Sequence, residues 1–303
     1  MVAGYRARVP KSNHAGRARA RQQRKIGCRR YGMGCCRAMG TVGFGMELKS
    51  LIEAMVRQSK QDDQLVIALS GGVDSGLVAA AAQAAWHCGA HGPPPLAVTV
   101  QSELTAQRDF ERAGAVARHI GIRHAVITLR MLEIEAVRDN GTDRCYHCKL
   151  ALFDSIRRNV GENCVIADGT NGDDDPARPG LRAAKERGVL HPLKRLGIDK
   201  ARVRRLARAA GLPNWNEPSE SCLATRLAPS IALTREGLAK VERLESFWIG
   251  LGVEAVRVRH DDLVATVEYP MQYAGIIEKN RDPFLGVIRS AGLRSVQYRE
   301  WSP

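Results

Sequence analysis

With 303 residues the chain can bury a full core in one large domain or two medium ones, and it holds no run of about 18 uninterrupted apolar residues of the kind that crosses a membrane. Apolar residues make up 44% and aromatics 5%, a balance that favours an α/β protein over an all-β one. The formal charge of +14 is a property of one end: residues 1–45 carry 11 Lys or Arg and no acid, leaving 35 basic against 32 acidic residues over 46–303. A nucleic-acid surface on the body is therefore not expected.

The 1–45 segment is rich in Gly and Arg and lacks a hydrophobic period. It reads as a disordered extension, with an early-assigned start, an organelle transit peptide or a nucleic-acid arm as the other readings. Met46 opens an amphipathic helical pattern, "MELKSLIEAMVRQSK". From there strand and helix patterns alternate. "QLVIAL" (64–69), "PLAVTVQS" (95–102), "HAVITLR" (124–130) and "NCVIADGTN" (163–171) read as strands, separated by helices that include "CYHCKLALFDSIRRNV". This alternation predicts a doubly wound, mostly parallel sheet. In such sheets ligands bind at the carboxyl ends of strands, where Ser70, Gln101, Ser102, Arg130 and Asp168 fall. A Pro- and Glu-rich loop, "LPNWNEPSESCLATRLAPS", leads into an α-β-β-α-β run from Leu233 that predicts a smaller C-terminal α+β domain. The expected organisation is a tail over 1–45, a nucleotide domain over 46–215, a cysteine-bearing loop over 216–232 and an α+β domain over 233–303.

Between the first strand and its helix stands "SGGVDS", Ser70 to Ser75. Glycines let a main chain approach phosphate oxygens closely, serines add donors, and a helix N-terminus supplies about half a positive charge. No Lys follows, so this is not the loop that cradles phosphates for γ-phosphoryl transfer. The stretch resembles the PP-loop of the N-type ATP pyrophosphatases, whose fold is HUP-like. That resemblance implies ATP with Mg2+, AMP transfer to a substrate oxygen and pyrophosphate as leaving group. Ser70, Gly71, Gly72 and Ser75 would hold pyrophosphate, Asp74 would orient metal or phosphate, and Asp168 would either touch ATP or cap a turn.

Of eight cysteines, Cys28, Cys35 and Cys36 belong to the tail, and Cys88 and Cys164 sit in apolar contexts that suit buried small hydrophobes. Cys145 and Cys148 form C-x-x-C at the head of a predicted helix, beside Arg144 and Lys149, so both thiols share one face in positive potential. Cys222 in the long loop is a third candidate ligand. Three thiolates suit an iron–sulfur cluster with one exposed iron. A zinc site completed by His147 and a simple redox pair remain alternatives.

"SGGVDS", "DRCYHCK", "ADGTNGDDDPARPGLRAAKERGV", "CLATR" and "VRVRH", in this order, resemble the LarE family of ATP-dependent sulfur transferases, over the body from about Met46. The resemblance implies a pyridinium-3,5-biscarboxylic acid mononucleotide substrate, adenylated and converted to thiocarboxylates in nickel-pincer nucleotide biosynthesis. One type of the family sacrifices a cysteine sulfur. The other holds a 4Fe–4S cluster on three cysteines, and Cys145, Cys148 and Cys222 match that type. Thr225 and Arg226 would orient substrate near Cys222, Arg257 and Arg259 would bind its phosphate or carboxylates, and Glu245 and Glu268 fall where the family carries functional acids. Arg178 would hold its own loop. A cytoplasmic homo-oligomer without nucleic-acid or membrane partners is expected, with the sulfide source open. The rival readings are a tRNA thiolase, an ammonia-using synthetase and a non-catalytic nucleotide-binding regulator.

Overall fold

The computed structural model describes residues 63–87, 92–218, 221–229 and 231–301. The basic tail, the helix expected from Met46, and Cys28, Cys35, Cys36 and Cys88 lie outside them. The chain forms two compact units. One holds the described residues up to Gln101, Gln107–Leu129 and Lys149–Glu217; the other holds Ser102–Ala106, Arg130–Cys148 and the residues from Pro218 onward.

The first unit follows from period-two burial along its strands. Leu65, Ile67 and Leu69 enter one core, while Val66 between them enters another, so strand β1 (Leu65–Ala68) needs cover on both faces. Helices α1 (Val73–His87), α2 (Gln107–Ile120) and α6 (Lys200–Ala209) contribute Leu77, Val116 and Val203 to the first core. Helix α3 (Arg144–Val160) contributes Phe153 and Ile156 to the second, where Cys164 is also buried, as its apolar context predicts. Strands β2 (Leu96–Gln101), β3 (Arg123–Thr128) and β4 (Val165–Ala167) complete a four-stranded sheet in the order β3-β2-β1-β4, parallel throughout. The sheet is the doubly wound α/β layer that the alternating pattern implies. Strand order reverses at β1, between β2 and β4, the crevice at which such sheets bind ligands. Two shorter helices, α4 (Pro179–Glu186) and α5 (Pro192–Arg195), each open on a proline, whose missing N–H costs nothing in a first turn.

In the second unit, α7 (Arg235–Gly250) starts at Thr234, whose hydroxyl accepts from the Gly237 N–H at 2.9 Å. Strands β5 (Arg257–His260), β6 (Val264–Pro270) and β7 (Ser295–Trp301) form a mixed sheet in that order, antiparallel then parallel. Trp248, Val258, Val267, Phe284 and Ile288 fill its core. The second helix of the expected α-β-β-α-β run is two, α8 (Ala274–Lys279) and α9 (Arg281–Ser290). Pro283 explains the break: its ring conflicts with the carbonyl four residues back and it donates no N–H, so a continuous helix is strained at Lys279.

Candidate active site

The β1–α1 turn is shaped by contacts that only particular residues permit. Gly71 has φ +88°, and a Cβ there would meet the Asp109 carbonyl oxygen at 2.5 Å and the Ala113 nitrogen at 3.0 Å. The Asn214 side-chain amide, itself buried, donates to the Gly71 carbonyl at 2.8 Å. Ser75 Oγ donates to the Gly72 carbonyl at 3.2 Å, accepts from the Ser70 N–H at 3.2 Å and lies 3.1 Å from Ser70 Oγ. Gly169, just past β4, presses on the same turn, where a Cβ would stand 2.5 Å from the Ser75 nitrogen. Ser70 is exposed at the rim and Gly72 half-buried. The first-turn N–H groups of a 15-residue helix thus stand beside an exposed hydroxyl at the end of a central strand, an arrangement that attracts phosphate.

Two substitutions separate fold from function here. Gly71→Ala combines a positive φ with a clash against backbone, and is expected to cost about 1–3 kcal/mol and remove ATP binding. At Gly72 the nearest atom to an added Cβ is Ser70 Oγ at 3.5 Å, so Gly72→Ala is expected to fold normally. Thermal melts with and without ATP read both variants.

Around the turn lies a set of paired charges. Asp74, in the first turn of α1, accepts from Asn171 Nδ2 at 3.0 Å and is ion-paired with Lys200. Asp168 is buried and bonded to His191 Nδ1 at 2.7 Å and to the Thr170 N–H at 2.9 Å. Burial alone would raise its pKa, but the His191 bond, the Lys149 charge and the Thr170 N–H together hold it below the ordinary carboxylate value. The loop after β4 is tied by its own side chains. Asn171 N–H donates to Asp174 at 2.9 Å, Asp173 N–H to Asn171 at 2.9 Å, Lys194 Nζ to the Asp174 carbonyl at 2.7 Å, and Arg178 pairs with Asp174. Magnesium in nucleotide sites takes one or two carboxylates and fills its remaining positions with phosphate oxygens and water. Asp74, half-buried at the mouth of a phosphate-shaped turn, fits that requirement.

The second unit gathers the remaining candidates. Cys222 caps the 3-10 turn Leu223–Arg226, and Thr225 Oγ1 donates back to its carbonyl at 2.8 Å. Burial pushes the Cys222 thiol up, partly offset by the Arg144 charge; charge on Cys145 would push it further up. Arg144 joins the two cysteine segments. Its Nη1 donates to the Ala224 carbonyl at 3.1 Å and also bonds Asn140 Oδ1, while its Nη2 reaches Cys145 Sγ at 3.5 Å. Asn140, at φ +55°, sends its Nδ2 to the Ala228 carbonyl at 3.0 Å. Cys145, Cys148, Cys164 and Cys222 carry thiols rather than disulfides. Among the described residues no three His, Cys, Asp or Glu side chains converge closely enough to hold a metal ion. Cys145, Cys148 and Cys222 lie in one unit, and as placed they do not form such a group.

Beside Cys145 a cavity of about 690 Å³ opens, lined among others by Thr142, Arg144, Thr225, Arg259 and Gln297. Arg226 and Glu245 are 1% and 2% exposed and bonded at 2.8 Å. Glu245 also accepts from the Val258 N–H at 3.1 Å, and Arg226 reaches Ser221 Oγ at 2.6 Å and Thr225 Oγ1 at 3.0 Å. Arg259 donates to Glu268 at 2.9 Å and to the Thr225 carbonyl, whereas Arg257 stacks on Trp301 at 4.7 Å.

A family model described as Asparagine synthase matches residues 47–150. Uncharacterized protein slr1717 of Synechocystis sp. is 37% identical over 227 residues, 74% of this chain and 82% of that one. The pyridinium-3,5-bisthiocarboxylic acid mononucleotide synthase of Lactiplantibacillus plantarum is 29% identical over 246 residues, 80% of this chain and 87% of that one. The chain belongs to the LarE family. It is accordingly an ATP-dependent enzyme of the PP-loop class. Among solved structures, the NMN synthetase of Francisella tularensis matches with a TM-score of 0.42 and 16% identity, covering 58% of this chain and 74% of that one.

In this LarE chain the sequence-selected residues fall into two groups. Ser70, Gly71, Gly72, Asp74, Ser75 and Asp168 collect around the β1–α1 turn. Cys145, Cys148, Cys222, Thr225, Arg226, Glu245, Arg257, Arg259 and Glu268 lie in the second unit. Sequence reading passed over Asn140, Asn171, His191, Lys200 and Asn214, each of which holds a member of one group or its loop. Lys200 and Asn214 had no local signal. Asn171 stood inside a quoted block, where its contact with Asp74, 97 residues away, was not visible.

Proposed function

We propose that this protein adenylates the carboxylates of pyridinium-3,5-biscarboxylic acid mononucleotide and converts them to thiocarboxylates, the step that yields the product for which the L. plantarum relative is named. A substrate carboxylate oxygen attacks the α-phosphorus of ATP, and pyrophosphate leaves into the N–H groups and hydroxyls of Ser70–Ser75. Sulfide-level sulfur then attacks the acyl carbon, the carbon–oxygen bond to the adenylate breaks, and AMP leaves with that oxygen to give the thiocarboxylate. The observation that carries the sulfur half is the Arg144 bridge: its Nη1 holds the Ala224 carbonyl in the turn that half-buried Cys222 caps, and its Nη2 reaches Cys145 Sγ. The cavity beside Cys145, with Arg144 and Arg259 on its wall, suits a substrate bearing a phosphate and two carboxylates.

Cys145, Cys148 and Cys222 would hold a 4Fe–4S cluster, which when bound supplies an open iron position for an exchangeable sulfide. The chain's own residues supply the rest. Arg144 compensates thiolate charge, Thr225 and Arg226 fix the turn that presents Cys222, and Arg259, held by Glu268 and the Thr225 carbonyl, lines the cavity wall. The test is turnover by anaerobically purified protein given ATP, Mg2+, sulfide and the dicarboxylate mononucleotide. Mass spectrometry should find AMP, pyrophosphate and a product with oxygen replaced by sulfur. An amide product formed from ammonia, or a thiolated tRNA base in place of a thiolated mononucleotide, would overturn the reading.

A further inference from the structure

Both carboxylate oxygens of Asp74 are occupied by donors of this chain, Asn171 Nδ2 on Oδ1 and Lys200 Nζ on Oδ2. Lys200 is the first residue of α6, and its backbone N–H is fixed by Asp173 Oδ2 at 2.8 Å. The base of the side chain is therefore anchored, while a four-carbon stem leaves the ammonium able to swing. The pair is not sealed: the two side chains keep 23% and 20% of their exposure. Of the other lysines of this region, Lys194 serves the loop through the Asp174 carbonyl and Lys149 lends its charge to Asp168.

The β1–α1 turn contains no lysine, yet its leaving group is a polyanion. We infer that Lys200 supplies a cation to this leaving group: it pairs with Asp74 and passes to the pyrophosphate when Mg2+ takes the carboxylate. An ammonium and a divalent ion cannot share Oδ2 without repulsion. Once displaced, the ammonium stands next to the phosphates that the same turn binds. The pair keeps the Asp74 charge compensated until metal arrives. Loaded, it places two cations on the leaving group without adding net charge to the protein. Lys200 then has a direct ligand contact, whereas Asn171 keeps Asp74 oriented throughout. The inference rests on the adenylation half of the proposed function and is independent of the sulfur donor.

Titration calorimetry of the full chain with inorganic pyrophosphate and, separately, with AMP tests it without turnover. With Mg2+ present, Lys200→Met should weaken pyrophosphate at least tenfold and leave AMP within about twofold, and Lys200→Arg should recover part of the loss. In metal-free buffer, Asp74→Asn should bind pyrophosphate more tightly than wild type, because the ammonium is released. The double variant Asp74→Asn/Lys200→Met should lose that gain. Lys200→Met binding Mg-pyrophosphate like wild type would overturn the inference and leave the adenylation reading intact, marking Lys200 as a latch on Asp74. So would an Asp74→Asn gain that persists in the double variant. Wild type that binds neither ATP nor pyrophosphate would remove both readings together.

Discussion

Cys222→Ala is expected to abolish sulfur transfer completely while leaving pyrophosphate release from ATP at near wild-type rates. The two halves of the reaction draw on different residues: the β1–α1 turn belongs to the first unit, and Cys222 to the second, where its polar neighbours include Arg144, Cys145, Ala224 and Thr225. Alanine also keeps the backbone of the 3-10 turn, since the Thr225 hydroxyl bonds the carbonyl of residue 222 rather than its sulfur. Anaerobically purified wild type should carry about four irons per chain, and the variant should lose most of them. Thiol ligands must be deprotonated to bind metal, and burial pushes the Cys222 thiol up, so iron uptake should improve as pH rises. If Cys222 were instead a sacrificial donor, wild type would stop after one transfer and its mass would fall by the elements of hydrogen sulfide. Several products per chain with intact mass would exclude that.

The parts of this molecule that were legible in the sequence are those fixed within a few residues. Leu65, Val66 and Ile67 announce a strand covered on both faces, and Ser70–Ser75 announce a phosphate turn, because period-two burial and a glycine's freedom are local properties. Lys200 lies 126 residues from Asp74, and neither residue's neighbours in the chain imply the other. The membership of Ser102–Ala106 and Arg130–Cys148 in the second unit is also a long-range fact. Met131 N–H bonds Glu103 at 2.9 Å, and Leu223 N–H bonds the Leu104 carbonyl at 3.0 Å, pairings that no periodicity encodes. Pro283 did carry the break between α8 and α9, but the helical period on either side of it masked the signal. The arginines of "VRVRH" share a strand face, as alternation requires, yet Arg257 is taken up by Trp301 and Arg259 by Glu268 and Thr225. Their partners come from β6, β7 and the 3-10 turn.

Glu245 offers the largest expected effect on stability. Its Oε1 accepts from Arg226 Nε and from the Val258 N–H, so one buried oxygen ties α7 to the cysteine-bearing turn and to β5. Glu245→Ala strands a guanidinium that is 1% exposed, and breaking one side of a buried pair costs about 3–5 kcal/mol. Glu245→Gln keeps the Oε1 acceptor for both donors but removes the charge that balances Arg226, and should cost about half as much. Urea unfolding followed by tryptophan fluorescence reads the loss, because Trp248 lies in the same helix and core. The same pair of variants separates two roles. A glutamate that donates or accepts a proton in catalysis would lose turnover on Glu245→Gln with stability intact. The geometry here makes Glu245 a positioning residue acting through Arg226, which in turn holds Ser221 and Thr225 on either side of Cys222. Sulfur transfer and unfolding free energy should therefore fall together across Gln and Ala, with the KM for ATP unchanged because the nucleotide turn is built from other residues.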